Sequence, residues 1–463
     1  MRLISISLYD MIEMLPAASA AMPDWLRFFT FQSPNVVYVL LGCMALGAGS
    51  GLIGCFSFLR KRSLIGDALA HAALPGVCMV FLLTGTKNPW VILAGASIAC
   101  WVGALSIDAI VRYTRCKEDS ALGMVLSVYF GLGILLLTYI QQRGDAAQSG
   151  LDNFLFGQAA AMVPRDVRVI SLVSLLLIVA VVLAYKELKL MTFDPEYARA
   201  IGMPVRLLEV FLATLLVLAV AIGLQAVGVV LMAALLVTPA ATARFWTHRL
   251  SIMLLLAALF GAMSGFIGAY VSYLGPKMPT GPWMVIAVTF VFLVSLLLAP
   301  QRGLLARWLR ISRYRRKTLH ENVLRTLYLL GEPDKDWQQL YSIDAMMKRR
   351  TFIPNTLAGV LSRLKKGGFV QEPVGGQFRL TESGILRAAR LTRLHRLWEI
   401  YLTKKLELPS DHVHADAEEV EHIITPAMEV ELAATLDYPE EDPHRKVVPA
   451  PVATAESSED SQS

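Results

Sequence analysis

The 463 residues are 55% hydrophobic and 17% charged, with a formal net charge of +6 at pH 7. A soluble globular protein has about a quarter of its residues charged, so this composition argues against an ordinary soluble enzyme and predicts a membrane protein. The average conceals a division, because charged residues are scarce between about residues 36 and 299 and frequent from Gln301 onward. We therefore predict an all-α membrane domain in residues 1–300, followed by a soluble tail.

Seven apolar runs each reach the length of about twenty residues that one membrane crossing requires. Residues 207–243 are too long for one crossing and contain Gly223 and Gly228 in the middle, which favours two short crossings. The prediction is eight or nine transmembrane helices. The seven single runs lie at 36–58, 66–84, 90–111, 120–140, 168–185, 251–274 and 282–299.

The basic loops orient these helices, because cytoplasmic loops are enriched in Lys and Arg. The loops predicted to be cytoplasmic are 59–63, 112–117, 186–189 and 244–249, and the opposite loops are poorer in Lys and Arg. The tail is then cytoplasmic as well. The basic run 301–317 before it is predicted to be a linker that anchors against anionic membrane lipid.

Two ionisable residues stand inside the second apolar run. Asp67 and His71, in "LIGDALAHAALPGV", are four residues apart and share a helix face. Ionisable groups in membrane spans are costly and suggest function, and a carboxylate with an imidazole suits a divalent transition metal in passage. The alternative is that Asp67 caps the helix or pairs with Arg60, and that His71 is an ordinary core histidine.

A short helix is predicted within "TFDPEYARAIGMP", residues 192–204. Asp194 and Pro195 are typical of a helix start, and Gly202 with Pro204 ends the helix after about two turns. The segment lies on the predicted cytoplasmic side, where a soluble partner could grip it. An ordinary capped loop helix is the alternative.

Four stretches of the membrane half resemble the ABC permeases for zinc, manganese and iron. They are "LIGDALAHAALPG", "FDPEYARAIGMP", "GVVLMAALLVTPAATA" and "PTGPWMV", spread from residue 64 to residue 285. The resemblance implies that Asp67 and His71 line the metal path and that residues 192–204 form the coupling helix to an ATPase. The coupling residues that it implies are Asp194, Pro195, Glu196, Ala200 and Gly202.

The same resemblance implies the partners of the membrane half. It would be one copy of a permease homodimer, or of a dimer with a related permease, in the plasma membrane of a bacterium. An extracytoplasmic metal-binding protein would deliver the ion. Because no GxxxxGK[ST] phosphate-binding loop occurs in the chain, the ATPase is expected to be a separate subunit and the chain itself is not an enzyme.

From residue 318 the pattern predicts a winged helix-turn-helix, with the boundary at residue 385. Helices are indicated by "ENVLRTLYLL" and "SIDAMMKRR", and a third begins after "TFIPN" with Asn355 as its N-cap. "FVQEPVGGQFRLTESG" predicts two strands joined at Gly375 and Gly376. The third helix would enter the DNA major groove, and a module serving only protein contacts is the alternative. The residues predicted to contact DNA are Asn355, Thr356, Arg363, Lys365 and Lys366.

Residues 386–440 contain two His/Glu segments. His395 and Glu399 are four residues apart in "LHRLWE", and "VHADAEEVEH" places His414, Glu418, Glu421 and His422 on one face of a predicted helix. Nitrogen and carboxylate ligands without thiolate favour manganese, iron(II) or zinc over copper(I). A solvated acidic face is the alternative.

With the winged helix, these segments resemble the diphtheria-toxin-repressor family of metal-dependent repressors. The resemblance implies a metal-binding and dimerisation domain with two metal positions. The manganese-type members of that family carry Glu at the position of Glu418, so manganese is favoured over iron or zinc. The implied ligand sets are His395, Glu399 and His414 for one metal and Glu418, Glu421 and His422 for the other.

One position departs from the family. The first helix of these repressors supplies a ligand where this chain has Asn322, whose amide oxygen is a weaker ligand than a carboxylate. We expect Glu321 or His320 to replace it only if the helix were rotated. Residues 441–463 are predicted to be a disordered polar tail.

Three functions remain open at this point. The first is a metal importer permease fused to its own metal-dependent repressor, which would bind operator DNA and give feedback on uptake. The second keeps the permease but makes the tail a cytoplasmic metal-sensing gate that never binds DNA. The third is a zinc permease with a vestigial tail.

Overall fold

The computed structural model describes residues 27–31, 34–86, 88–142, 157, 159, 162–275, 278–409 and 420–451. The chain divides into two compact units, and the boundary falls between Arg307 and Trp308. This boundary lies inside the basic run 301–317 that the sequence predicted to be a linker. Each unit is described by itself below.

The membrane unit is entirely helical in its described residues. A short 3-10 turn at Phe28–Thr30 precedes eleven α-helices. They are α1 (Pro34–Leu59), α2 (Ile65–Thr84), α3 (Pro89–Tyr113), α4 (Glu118–Gln142), α5 (Pro164–Leu183), α6 (Tyr185–Phe193), α7 (Pro195–Ala200), α8 (Val205–Ala226), α9 (Val229–Trp246), α10 (Leu250–Leu274) and α11 (Thr280–Leu298).

Nine of the eleven helices described in the membrane unit are long and apolar enough to cross a membrane, all except α6 and α7. This agrees with the prediction of eight or nine transmembrane helices, at its higher value. The long apolar run divides between α8 and α9 at Val227 and Gly228, as the central glycines indicated. Gly228 has φ +90°, a left-handed conformation that residues with a Cβ rarely adopt, so the glycine permits the break.

Helices α1 and α10 approach each other through small residues. A methyl group added to Gly47 would collide with the carbonyl oxygen of Gly261, and one added to Gly261 would collide with that of Gly47. Lipid provides little hydrophobic driving force between helices, so close backbone packing of this kind is a main source of their association. The contact between Gly47 and Gly261 therefore contributes to the association of α1 with α10.

We expect Gly47→Ala to destabilise the membrane unit, because forcing a methyl group into a close-packed backbone contact costs about 1–3 kcal/mol. The matched control is Gly123→Ala in α4, where an added methyl group would have no neighbour within 4 Å. Thermal unfolding of both variants in detergent measures the effect. A melting temperature for Gly47→Ala equal to that of Gly123→Ala would contradict the role of this contact.

The soluble unit is a winged helix followed by two packed helices. Its elements are α12 (Leu304–Gly331, whose first residues precede the unit boundary), β1 (Tyr341–Ser342), α13 (Ile343–Arg349), α14 (Pro354–Lys366), β2 (Val370–Val374), β3 (Gln377–Leu380), α15 (Glu382–Lys405) and α16 (Pro426–Thr435). The strands form an antiparallel sheet in the order β1-β3-β2. The predicted helices and hairpin of the winged helix are confirmed, whereas β1 was missed because two residues are too few to show an alternating pattern. The helix predicted at 413–422 lies mostly outside the described residues.

The winged-helix core is built from the predicted apolar stripes. Val323, Leu324 and Leu327 of α12 are buried in one cluster with the apolar face of α14 and with Phe378 of β3. The members contributed by α14 are Leu357, Val360, Leu361 and Leu364. This packing directs the opposite face of α14 to solvent.

Two expectations for the soluble unit differ from the structure. Ile353, not Asn355, is the N-cap of α14, because Pro354 takes the first helical position, where its lack of an N–H has no cost. Residues 441–451 are packed rather than disordered. Glu441 bridges to Val447, Val448 is buried, and Asp442 lies 3.3 Å from Arg396 in α15. A buried ion pair holds this segment, which has no apolar periodicity to reveal it.

Candidate functional sites

Asp67 and His71 lie together near the start of α2. Oδ1 of Asp67 is 3.7 Å from Nε2 of His71, which is beyond hydrogen-bond distance, and the side chains are 30% and 12% exposed. Nδ1 of His71 is buried without a hydrogen-bond partner among the described residues. The ring of Phe130 contacts the imidazole edge to face, with centroids 4.8 Å apart. Both side chains therefore keep unused lone pairs that a cation could take.

The alternative reading of Asp67 finds no support in its contacts. Arg60 pairs with Glu209 instead, at 2.7 Å between Nη2 and Oε1. Leu64 is the N-cap of α2, and no side-chain cap hydrogen bond is formed there. Neither an ion pair with Arg60 nor a capping bond thus accounts for the carboxylate.

Helix α7 forms where the sequence predicted a short helix. Oδ1 of Asp194 accepts a hydrogen bond from the backbone N–H of Tyr197 at 2.9 Å, and Pro195 occupies the first helical position. Gly202 ends the helix with φ +82°, a conformation that favours glycine. Glu196 and Ala200 are exposed on it. The segment is therefore a short helix with a defined start and end.

Three apolar side chains at α7 were missed by the sequence analysis. Phe193, Tyr197 and Ile201 are 55%, 55% and 52% exposed. Phe193 is the last residue of α6, and Tyr197 and Ile201 lie in α7 and at its C-cap. Large exposed apolar groups beside a short capped helix are typical of a protein–protein contact.

The predicted DNA-contacting residues all lie on the exposed side of α14. Asn355 and Thr356 are exposed in its first turn, and the three basic residues Arg363, Lys365 and Lys366 are exposed in its last turns. Nζ of Lys365 is 2.9 Å from Oε2 of Glu372 in the wing strand β2. Lys365 is thus partly neutralised, and Arg363 and Lys366 carry the positive charge of this face.

A buried cluster of His and Glu occupies the end of the soluble unit. His395 and Glu399 stand four residues apart on α15, and Nε2 of His395 is 3.1 Å from Oε1 of Glu399. Nδ1 of His395 is 2.6 Å from Oε2 of Glu421. His422 follows Glu421 in a turn after the helical residue Val420. These side chains are buried, which rules out the alternative of a solvated acidic face for this part of the segment.

The first helix of the winged helix also reaches this cluster. Oε2 of Glu321 in α12 lies 2.7 Å from Nδ1 of His422, and Nη1 of Arg325 lies 3.3 Å from Oε2 of Glu421. Glu321 reaches the cluster from α12 as it packs, where Asn322 and Arg325 are also buried. Its contact there is with His422, so the prediction that Glu321 replaces the Asn322 ligand only in a rotated helix stays a prediction.

The environment keeps the Glu321 carboxylate ionised near neutral pH. Burial raises the pKa of Glu321, but the hydrogen bond from His422 and the positive charges of Lys317 and Arg387 outweigh burial, so its pKa lies below the ordinary value. Arg387 itself lies 3.3 Å from Oε1 of Glu321.

The donors fit a divalent metal by their chemistry, since imidazole nitrogens and carboxylate oxygens suit manganese, iron(II) and zinc. Nε2 of His422 and Oδ1 of Asn322 are buried without a hydrogen-bond partner, as unused ligand atoms would be. Within the described ranges, however, no three His, Cys, Asp or Glu side chains are gathered as a closed metal site requires. The remaining predicted ligands, His414 and Glu418, lie outside the described residues.

Residues 32–299 match the ABC 3 transport family. This range contains α1 to α11 and all four stretches that resemble metal permeases. The chain belongs to this family. It is 44% identical to the "Manganese transport system membrane protein MntC" of Bacillus subtilis over 83% of its length and 87% of that protein. It is 46% identical to the "Zinc transport system membrane protein TroC" of Treponema pallidum over 59% of its length and 92% of that protein. As an ABC 3 family member with nine apolar helices in its described ranges, it is a multi-pass membrane protein.

A solved structure supports the fold of the membrane unit. The chain matches "PsaBC from Streptococcus pneumoniae in complex with Fab" with a TM-score of 0.55 and 30% identity, over 62% of this chain and 99% of that chain. In the tail, residues 381–450 match the "Iron dependent repressor, metal binding and dimerisation domain". This ABC 3 family member therefore ends in a repressor-type domain, as both resemblances predicted.

Proposed function

We propose that the chain is the permease subunit of an ABC importer for a divalent transition metal, with manganese favoured and iron or zinc as further candidates. The observation that carries this proposal is the pair Asp67 and His71 in α2, which lie 3.7 Å apart, too far for a hydrogen bond between them, while Nδ1 of His71 is buried without a hydrogen-bond partner among the described residues. The relatives named for manganese and zinc transport support the choice of metal. Accumulation of radioactive manganese by cells that express the chain with its partner subunits tests this role.

The partners follow from the same proposal. Exposed Phe193, Tyr197 and Ile201, with the capped helix α7, form the surface that would dock a separate cytoplasmic ATPase. Two permease copies would enclose the metal path, and an extracytoplasmic metal-binding protein would supply the ion. With nine crossings, the four basic loops and the residues after α11 would lie on one side of the membrane, and their excess of Lys and Arg favours the cytoplasmic side.

The tail would be a metal-dependent DNA-binding domain that gives feedback on uptake. Support comes from the repressor-type match, from the exposed basic face of α14 and from the buried donors of α15 and its following turn. In this role His395, Glu399, Glu421 and His422 would hold the metal. The bound ion would supply positive charge that links α15 to the turn after Val420.

We expect the full-length protein to bind DNA from upstream of its own gene when manganese or iron(II) is present. Arg363→Ala with Lys366→Ala should weaken binding at least about tenfold and flatten its salt dependence by about 0.9 per lost phosphate contact. The matched control is Lys404→Ala with Lys405→Ala, which removes the same charge from the exposed end of α15. Electrophoretic mobility shifts over a range of salt concentrations measure both.

The alternative, a metal-sensing gate, makes the opposite prediction for the same protein. DNA binding that does not require metal would reject the repressor function. Binding that does not depend on the DNA sequence would reject it as well. If added metal then still lowered uptake, the tail would act on the permease without DNA.

A further inference from the structure

His422 is held by a carboxylate from a different part of the chain. Its Nδ1 lies 2.7 Å from Oε2 of Glu321, which is 101 residues earlier in the sequence. Both side chains are buried, with 1% and 7% of their surface exposed. The contact therefore exists in a dry environment, where a hydrogen bond to a charged group is strong.

The other nitrogen of the same ring is unused. Nε2 of His422 is buried without a hydrogen-bond partner among the described residues, and Oε1 of Glu421 lies 3.6 Å away, outside hydrogen-bond distance. An ionised carboxylate can only accept hydrogen bonds, so Nδ1 of His422 carries the hydrogen. In a neutral imidazole with its hydrogen on Nδ1, Nε2 carries the lone pair that could bind a metal.

Glu321 is itself held in place. Arg387, on α15, lies 3.3 Å from its second oxygen, Oε1, and approaches it from a helix other than its own. Each oxygen of the Glu321 carboxylate thus has one partner, and the group has a defined orientation. A ligating histidine usually donates its second N–H to such a group, which fixes the ring and makes its free nitrogen more basic.

We propose that Glu321 is a positioning residue of the tail's metal centre, which acts through His422 by fixing its Nε2 as the metal-donating nitrogen. This rests on the proposed metal-sensing role of the tail. The first helix of the winged helix would then contribute to metal binding because its Glu321 accepts a hydrogen bond from His422. Glu321 is next to Asn322, which stands at the position where the resembling repressors supply a ligand.

The test measures Mn²⁺ binding by electron paramagnetic resonance of the unbound ion. The full-length protein carries Asp67→Ala and His71→Ala, so that the membrane pair contributes no site. In this parent, Glu321→Gln should weaken tail binding about 10–100-fold. Glu321→Asp, which keeps a charged acceptor, should retain more affinity. Glu332→Gln is the matched control, because Glu332 follows the same helix but pairs with Arg396 outside the cluster, and it should leave affinity within about twofold.

Pairing the variant with His422→Gln separates positioning from direct ligation. If Glu321 acts through His422, adding Glu321→Gln to His422→Gln should cause no further loss of affinity. An undiminished further loss, or unchanged affinity of Glu321→Gln alone, overturns the inference. An unfolding measurement in EDTA identifies a variant that does not fold. If Glu321→Gln does not fold, the Mn²⁺ affinities of Glu321→Asp and Glu332→Gln are compared instead. No Mn²⁺ binding by the parent would instead reject the metal-sensing function, and the inference with it.

Discussion

Asp67→Ala and His71→Ala should each reduce metal accumulation more than about tenfold without lowering the amount of protein in the membrane. The pair provides one carboxylate and one imidazole whose lone pairs have no hydrogen-bond partner in the described part of α2 and its surroundings. A dehydrated divalent ion in a membrane loses most of its stabilisation when either ligand is removed. Uptake of radioactive manganese, with iron(II) and zinc as competitors, measures the loss and the metal preference together.

The matched control is Asp108→Ala. Asp108 is also part of an intrahelical pair spaced by four residues, with Nη2 of Arg112 at 3.5 Å, but both side chains are about half exposed. An exposed pair of this kind contributes little, so uptake should stay near normal. Normal uptake by both Asp67→Ala and His71→Ala would remove them from the metal path.

Tyr197→Ala combined with Ile201→Ala should abolish uptake by a different route. The change removes two of the three exposed apolar side chains at α7, while Asp194 and Pro195 still start the helix. Contacts that bury large aromatic and aliphatic groups dominate the energy of a protein interface, so the ATPase should dock weakly or fail to respond to transport. Co-purification of the ATPase and its metal-stimulated ATP hydrolysis measure this loss.

Tyr113→Ala is the control for the same surface chemistry. Tyr113 is 88% exposed at the end of α3, on the side predicted to be cytoplasmic, and its loss should leave the complex intact. If the Tyr197 and Ile201 variant still co-purified with an active, metal-stimulated ATPase, α7 would not be the coupling element.

Much of the architecture was predictable because its causes are local. Each membrane helix needs only a run of apolar residues of sufficient length, and the break at Gly228 needs only a residue that tolerates a positive φ. The apolar stripe Leu357, Val360, Leu361 and Leu364 likewise defines the buried face of α14 by its spacing. The start of α14 was misplaced by two residues, since Pro354 was taken as part of the turn although its fixed φ suits the first helical position.

The buried His/Glu cluster was predicted only in part, because some of its contacts join residues that are far apart in the chain. Residues His395 and Glu399 share a helix, so their proximity follows from a spacing of four. Arg325 was not predicted, because its 3.3 Å contact with Glu421 joins residues 96 positions apart. Arg325 is thus a buried cation beside a predicted ligand, and no local pattern signals that contact.

The sequence alone therefore determined the membrane unit, the winged helix and the types of donor atom, because hydrophobic length, helical period and side-chain chemistry are properties of neighbouring residues. The tertiary structure decided which charges meet. Arg60 pairs with Glu209 and leaves Asp67 without that partner. Glu321 contacts His422, although the resembling repressors supply their ligand at the neighbouring position, Asn322. Such pairs depend on how helices distant in the chain pack and on which side chains that packing removes from water, where an unpaired charge is costly.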